Sequence, residues 1–218
     1  MFLIKGRPAY FLVSGAMVLI LGTFTAVDFQ SAGRAAPFRG PPLDQVRTYR
    51  FTARIKANAG VSPFKVGNVI IGRFTYDLKG QNTRPDVLFH GAYQSGRHAI
   101  TFEMGDLRFT GRGDILVTIS TFDYAEHFGI VAHDLHLPAG WKMDAKGSQS
   151  FGFLLQNAPS KKVLSRPAQI PDRLSLPDFV NTRELRLDFA HGVRFPGGQV
   201  NVRATVFAIV ESLEEAGN

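Results

Sequence analysis

From Thr48 onward, apolar and polar residues alternate along most of the chain. In the first such run, Tyr49, Phe51, Ala53 and Ile55 are separated by charged or hydroxyl-bearing residues. A period of two places successive side chains on opposite faces of a strand, so this run predicts a β-strand with one buried face. Similar runs follow at residues 69–78, 98–104, 114–122, 128–137, 150–156, 184–190 and 199–211.

Clusters of Gly, Pro, Asn and Asp separate these runs, as is typical of short strands joined by turns. We therefore expect an all-β fold, an antiparallel β-sandwich of jelly-roll type with about eight strands. The domain is expected to fill residues 47–212, with residues 213–218 as a tail. One short helix is predicted at residues 176–180, where Ser175 is a candidate cap and Pro177 is tolerated in the first turn.

The beginning of the chain has a different pattern. Lys5 and Arg7 precede an uncharged stretch of 19 residues, 9–27, which predicts an apolar helix close to the length that spans a membrane. The Gly- and Pro-rich residues 28–46 are predicted to form a linker. The main apolar positions of the predicted helix are Phe11, Leu12, Val18, Leu19, Ile20 and Leu21.

This stretch, residues 1–27, is either a retained single-pass anchor or a signal segment. A basic start followed by an apolar run keeps its basic side in the cytoplasm and carries the downstream part of the chain across the membrane. The domain is therefore expected in the periplasm or outside the cell, attached to the cell membrane by this helix. Small residues at Gly33 and Ala35 leave open the alternative, secretion after cleavage of the signal.

The overall charge limits the classes of partner. The formal net charge is +7, but the basic residues are scattered along the strands instead of being concentrated on one element. A nucleic-acid partner is therefore not expected. A basic balance still favours anionic lipid headgroups or acidic polysaccharide. The chain contains no Cys, which removes disulfides and thiol chemistry and leaves stability to burial, for which its 19 Phe residues are available.

One window of the sequence is a candidate metal site. His127, His133, Asp134 and His136 fall close together, with Asp123 and Glu126 beside them. Imidazole and carboxylate groups two residues apart on a strand share a face, as Asp134 and His136 would, and can share a metal ion. The alternative is an ordinary polar strand edge, and no cofactor is expected.

Three aromatic residues are candidates for sugar binding. Trp141, Tyr93 and Tyr124 lie in turn-rich stretches, where exposed flat rings would provide a platform for a carbohydrate. The alternative for Trp141 is a lid on the core. No Gly-x-Ser-x-Gly or phosphate-binding loop is present in the sequence.

Several strand motifs carry a family resemblance. Four stretches resemble strand motifs of secreted bacterial β-sandwich proteins of the exosortase-sorted type, often called PEP-CTERM proteins. In chain order they are residues 48–52, the motif Gly72-Arg73-Phe74-Thr75-Tyr76-Asp77, and residues 100–102 and 107–111. The resemblance implies a β-sandwich in the bacterial envelope and no catalytic residue. Residues 211–218 depart from the family pattern, because they contain no Pro-Glu-Pro, no second apolar span and no basic tail, and the N-terminal stretch is then the candidate anchor.

These observations together predict a non-catalytic structural or interaction module outside the cytoplasm. One expected role is that of an accessory subunit of a membrane-protein complex. The alternatives are an envelope protein that binds carbohydrate and a metal-assisted hydrolase on the same fold.

Overall fold

The fold is described from a computed structural model. The structure describes residues 45–61, 63–112, 114–144, 147–157, 163–164, 168–190, 192–200 and 203–216. The predicted apolar helix at 9–27 and almost all of the predicted linker lie outside the described residues. Within the described part, no helix has the length and apolar character that a membrane crossing requires.

The described residues form fourteen strands in two antiparallel sheets. The larger sheet has eleven strands in the order β3-β4-β7-β8-β10-β11-β14-β1-β2-β5-β6, and the smaller has three in the order β13-β12-β9. The strands are β1 (Val46–Asn58), β2 (Val69–Asp77), β3 (Gln81–Asn82), β4 (His90–Gln94), β5 (Ala99–Met104), β6 (Leu107–Arg112), β7 (Ile115–Thr121), β8 (Glu126–His133), β9 (Lys142–Met143), β10 (Gln149–Asn157), β11 (Thr182–Phe189), β12 (Val193–Phe195), β13 (Gly198–Val200) and β14 (Ala204–Glu215).

The larger sheet curls so that its two halves face each other. Phe74 on β2 packs against Phe128 on β8 and Phe153 on β10, with ring centroids 6.2 and 5.0 Å apart. Three strands separate β2 from β10 in the sheet order, so these rings meet only because the sheet bends. The pairing of β1 with β14 shifts register between Thr52 and Ala53 and again between Ile55 and Ala57. Such irregularities increase local bending and twist.

This geometry confirms an all-β, antiparallel domain and corrects the finer prediction. Instead of two separate sheets of about eight strands in total, one continuous sheet of eleven strands supplies both facing layers. The predicted runs all contain strands. Five short strands, β3, β4, β9, β12 and β13, were not expected as separate elements because two to five residues are too few to show an alternating pattern.

The predicted helix at residues 176–180 is instead a single 3-10 turn at Leu176–Asp178, and the Ser175 side chain makes no capping hydrogen bond. The segment around this turn is held by tyrosine hydroxyls from the sheet. Tyr49 accepts a hydrogen bond from the Leu174 amide at 2.7 Å, and Tyr76 donates one to the Pro171 carbonyl at 2.9 Å. Burial raises the pKa of both phenols, so they stay protonated.

The core between the two halves of the sheet is aromatic. Alternate residues on every long strand are buried, and the rings among them contact one another in a continuous series. The largest fully buried side chains are Tyr49, Tyr76, Phe51, Phe64, Phe74, Phe102, Phe109, Phe128, Phe151, Phe153, Phe179 and Phe189.

Candidate functional site

Three polar side chains lie side by side on the outer face of the sheet. Register pairs His90 on β4 with Ser120 on β7, and Ser120 with His127 on β8. Along β7, Ile115, Val117 and Ile119 are buried in the core, so Ser120 faces outward. Residues directly opposite on neighbouring strands are in side-chain contact range. We call His90, Ser120 and His127 the imidazole row.

The imidazole row contains one hydrogen bond and one unsatisfied nitrogen. His90 Nδ1 lies 2.8 Å from Ser120 Oγ, and the tautomer of the ring decides which atom donates. The Ser120 side chain is almost completely buried. His127 Nε2 is also buried, and it has no hydrogen-bond partner among the described residues. A buried nitrogen without a partner costs free energy unless a ligand or water satisfies it.

Both imidazoles are held in the neutral form. Burial lowers the pKa of His90, and the positive charge of Arg84 lowers it further. Burial also lowers the pKa of His127, with a smaller contribution from His90. Each neutral ring keeps one nitrogen that accepts a hydrogen bond and one that donates.

An exposed group of rings adjoins the imidazole row. Phe122 continues the outer face of β7, and its ring packs edge-on against His127 at 6.2 Å. On one side the ring of Phe122 is stacked on Tyr124, 5.2 Å away with 4° between the planes, and Phe89 lies 5.3 Å away. Tyr124 and Phe89 are 69 % and 49 % exposed. We call Phe89, Phe122 and Tyr124 the aromatic patch.

The patch presents exposed rings and the Tyr124 hydroxyl beside the mostly buried side chains of the imidazole row. Such a combination suits a ligand with an apolar face and polar edges. Nucleophilic chemistry by Ser120 is not favoured, because its hydroxyl is covered and its described hydrogen-bond partner is a single imidazole.

The candidate metal ligands are not brought together. His127 and His133 lie at opposite ends of β8, which at ~3.3 Å per residue places them far apart. Asp134 has a left-handed backbone with φ 54°, which ends the strand, and His136 forms a backbone bridge with Thr110 on β6. The described residues include no group of three or more His, Asp or Glu side chains positioned to hold a metal ion.

The three candidate sugar-binding aromatics also separate. Trp141 is only 7 % exposed and packs among Phe64, Phe109 and Phe195, so it is a lid on the core. Tyr93 is also buried, and its hydroxyl donates to the Ala168 carbonyl. Tyr124 alone of the three presents its ring to solvent.

Sequence reasoning singled out His127 and Tyr124 separately, and the structure places them in one surface. The sequence patterns did not point to Phe89, His90, Ser120 and Phe122. The predicted strands 114–122 and 128–137 signalled the β7–β8 hairpin but not its register, because pairing residue 122 with residue 128 places Ser120 opposite Ile130 instead of His127. No comparable signal pointed to His90, because β4 is short and contains Gly91.

The family resemblance concerns the strands and not this surface. No protein-family model matches the chain, and no curated protein or solved structure matches it either. The resemblance to exosortase-sorted proteins therefore stays a prediction.

Proposed function

We propose that this protein is a non-catalytic interaction module that acts outside the cytoplasm, with the aromatic patch as its contact surface. The observation that carries the proposal is where the exposed rings lie. Among the described residues, Phe89 and Tyr124 are the only largely exposed aromatic side chains, and both belong to this patch. Clustered exposed apolar surface is typical of interaction sites, and Tyr is enriched at protein interfaces.

The compartment is inferred from the beginning of the chain. The basic residues Lys5 and Arg7, followed by the apolar stretch 9–27, favour export of the domain with either a retained anchor or a cleaved signal. A retained anchor would tether the chain to the membrane. The role of an accessory subunit in a membrane complex agrees with this placement.

A second candidate function is carbohydrate binding. The specific observation in its favour is the nearly parallel stack of Phe122 and Tyr124, in which the ring of Tyr124 is exposed to solvent. The C–H face of a sugar packs on such a ring, and its hydroxyls would hydrogen-bond to nearby polar groups. The exposed Tyr124 hydroxyl is such a group, whereas His127 Nε2 beside the stack is buried.

The test replaces the patch and a matched surface residue. We expect the double variant Phe89→Ala and Tyr124→Ala to lose the native complex of the full chain extracted in mild detergent. Val180→Ala, an exposed apolar residue elsewhere, is expected to retain it. Migration on native gels measures the complex, and melting temperature controls for folding.

The outcomes separate the two functions. Loss of a defined complex in the patch variant alone supports the interaction module. Loss of retardation in gels containing neutral or acidic polysaccharide, with no complex affected, favours carbohydrate binding. If the patch variant keeps both behaviours, the aromatic patch is not the contact surface.

A further inference from the structure

A second surface lies on the other half of the sheet, on the outer face of β1, β2, β5 and β6. Register places Arg50 opposite Arg73, Arg73 opposite Thr101, and Thr101 opposite Thr110. The adjacent row consists of Thr48, Thr75, Ala99 and Arg112. The side chains between them on the strands are buried in the core, so both rows face outward. We call the three arginines and these small residues the arginine face.

The three arginines of this face are not held in ion pairs by the described residues, although Glu214 on β14 lies opposite Arg50 in the register. Arg50, Arg73 and Arg112 are exposed, and none of them forms an ion pair in the described part of the chain. Neighbouring arginines on the same strands differ. Arg54 lies 2.7 Å from Glu211, and Arg108 lies 3.5 Å from Glu103.

Arg50 lies opposite Arg73 on β2 and opposite Glu214 on β14, and it forms no ion pair with Glu214, so the repulsion between the two arginines is only partly offset. Like charges directly opposite each other in a sheet repel and destabilise the pair. An anion bound between them would remove this repulsion and form charge-assisted hydrogen bonds with the guanidinium groups. We therefore expect an anionic ligand to stabilise the arginine face.

The short side chains at the centre of the arginine face form its floor, and most of them carry a hydroxyl. Ala99 and Thr101 on β5 lie between Arg73 on β2 and Arg112 on β6, and Thr75 lies beside Arg73 on β2; all three are small and half-buried. Strands two apart are separated by about 10 Å, so the long arginine side chains stand above this floor on both sides. Thr48 and Thr75 share a hydrogen bond of 3.1 Å between their hydroxyls. The result is a shallow strip with hydroxyls below and guanidinium groups at its edges.

We propose that the arginine face binds an acidic polysaccharide. Carboxylate groups of the polymer pair with the arginines, and sugar hydroxyls bond to the threonine hydroxyls. Glu103 and Glu214 flank the arginines on neighbouring positions of the same outer face. A plane of anionic lipid would meet these carboxylates as well as the arginines, whereas a single polymer chain can follow the arginines between them.

This site is distinct from the aromatic patch. The arginine face lies on β1, β2, β5 and β6, and the aromatic patch lies at the ends of β4, β7 and β8. Substitutions in one surface leave the side chains of the other in place. Failure of one proposal therefore does not decide the other.

The experiment measures retention of the full chain, in mild detergent, by polygalacturonate in affinity electrophoresis. The test variant combines Arg73→Gln with Arg112→Gln. The control combines Lys142→Gln with Arg173→Gln, which removes the same charge from exposed positions elsewhere. Pullulan, a neutral polysaccharide, and phosphatidylglycerol vesicles are the comparison probes.

We expect about a tenfold weaker affinity for polygalacturonate in the test variant, because lost hydrogen bonds to charged groups commonly cost that much. The control should stay within about twofold, since exposed charges elsewhere are screened by salt. Equal loss in both variants overturns the proposal, because it shows an effect of net charge alone. Three other results also overturn the proposal. The unaltered chain is not retained by polygalacturonate, it is retained equally by pullulan, or it is retained by the vesicles and not by polygalacturonate.

Discussion

His98 Nδ1 lies 2.9 Å from the carbonyl oxygen of Ile115, and the whole His98 side chain is inaccessible to solvent. The bond links the start of β5 to the start of β7. Because a carbonyl only accepts, Nδ1 carries the proton, and Nε2 of the neutral ring has no partner among the described residues. Protonation of this ring would place a charge in the core.

We predict that His98 makes the fold sensitive to acid. Burial lowers the pKa of His98, and this outweighs the opposing influence of its hydrogen bond to Ile115 and of Asp77. The unfolded chain therefore takes up a proton first as the pH falls below about 6.5, and stability declines down to the pKa of the folded state. The contribution is fully present above that range.

The measurement is the free energy of unfolding between pH 8 and pH 5. His98→Asn keeps a donor for Ile115 and removes the titration, so its stability should decline less steeply with acid. His133→Gln, at an exposed position, is the control. Parallel pH profiles for the unaltered chain and His98→Asn would contradict the prediction.

We predict that the two imidazoles of the imidazole row titrate as coupled groups. Burial is the larger cause of the lowered pKa of His127, and the neighbouring His90 adds to it. His90→Gln should therefore raise the pKa of His127 while leaving it below the ordinary value. Nitrogen-detected NMR titration of the His127 ring measures the change, and an unchanged pKa would show that the rings do not interact.

We predict a large difference between two adjacent positions on β10. Phe153 points inward and packs on Phe51 and Phe74, so Phe153→Ala should destabilise the fold by about 3–5 kcal/mol. Leu154 is half-buried on the outer face, and Leu154→Ala should cost about 1 kcal/mol. Chemical denaturation measures both. If the two variants lose similar free energies of unfolding, Phe153 does not belong to a core shared by the facing halves of the sheet.

We predict that Gly72 cannot be replaced without cost. A Cβ atom there would overlap the Phe51 ring and lie 2.8 Å from the Cβ of Phe102. Gly72→Ala should therefore destabilise by about 1–3 kcal/mol through overpacking. Gly96→Ala is the matched control, because a Cβ at that position meets no atom within 4 Å. A thermal melt in which both variants match the unaltered chain would contradict the prediction.

The sequence predicts the residues of the aromatic patch only in part. Tyr124 was recognised as a candidate because it lies in a turn, where exposure is common. Trp141 also lies in a turn-rich stretch, yet Phe64, Phe109, Phe189 and Phe195 surround it. These rings come from four separate segments of the chain. The difference between the two residues therefore depends on contacts that no local pattern contains.

The sequence by itself determined that this is an all-β domain with an aromatic core, because a period of two is a local property of each strand. It also predicted the buried face of the first strand, which carries Tyr49, Phe51, Ala53 and Ile55. Only the tertiary structure decided that one curled sheet replaces two, and that His90, Ser120 and His127 form one row. Sheet order and register depend on pairing between segments far apart in the chain, and the arginine face likewise exists only once Arg50, Arg73 and Arg112 are aligned by that pairing.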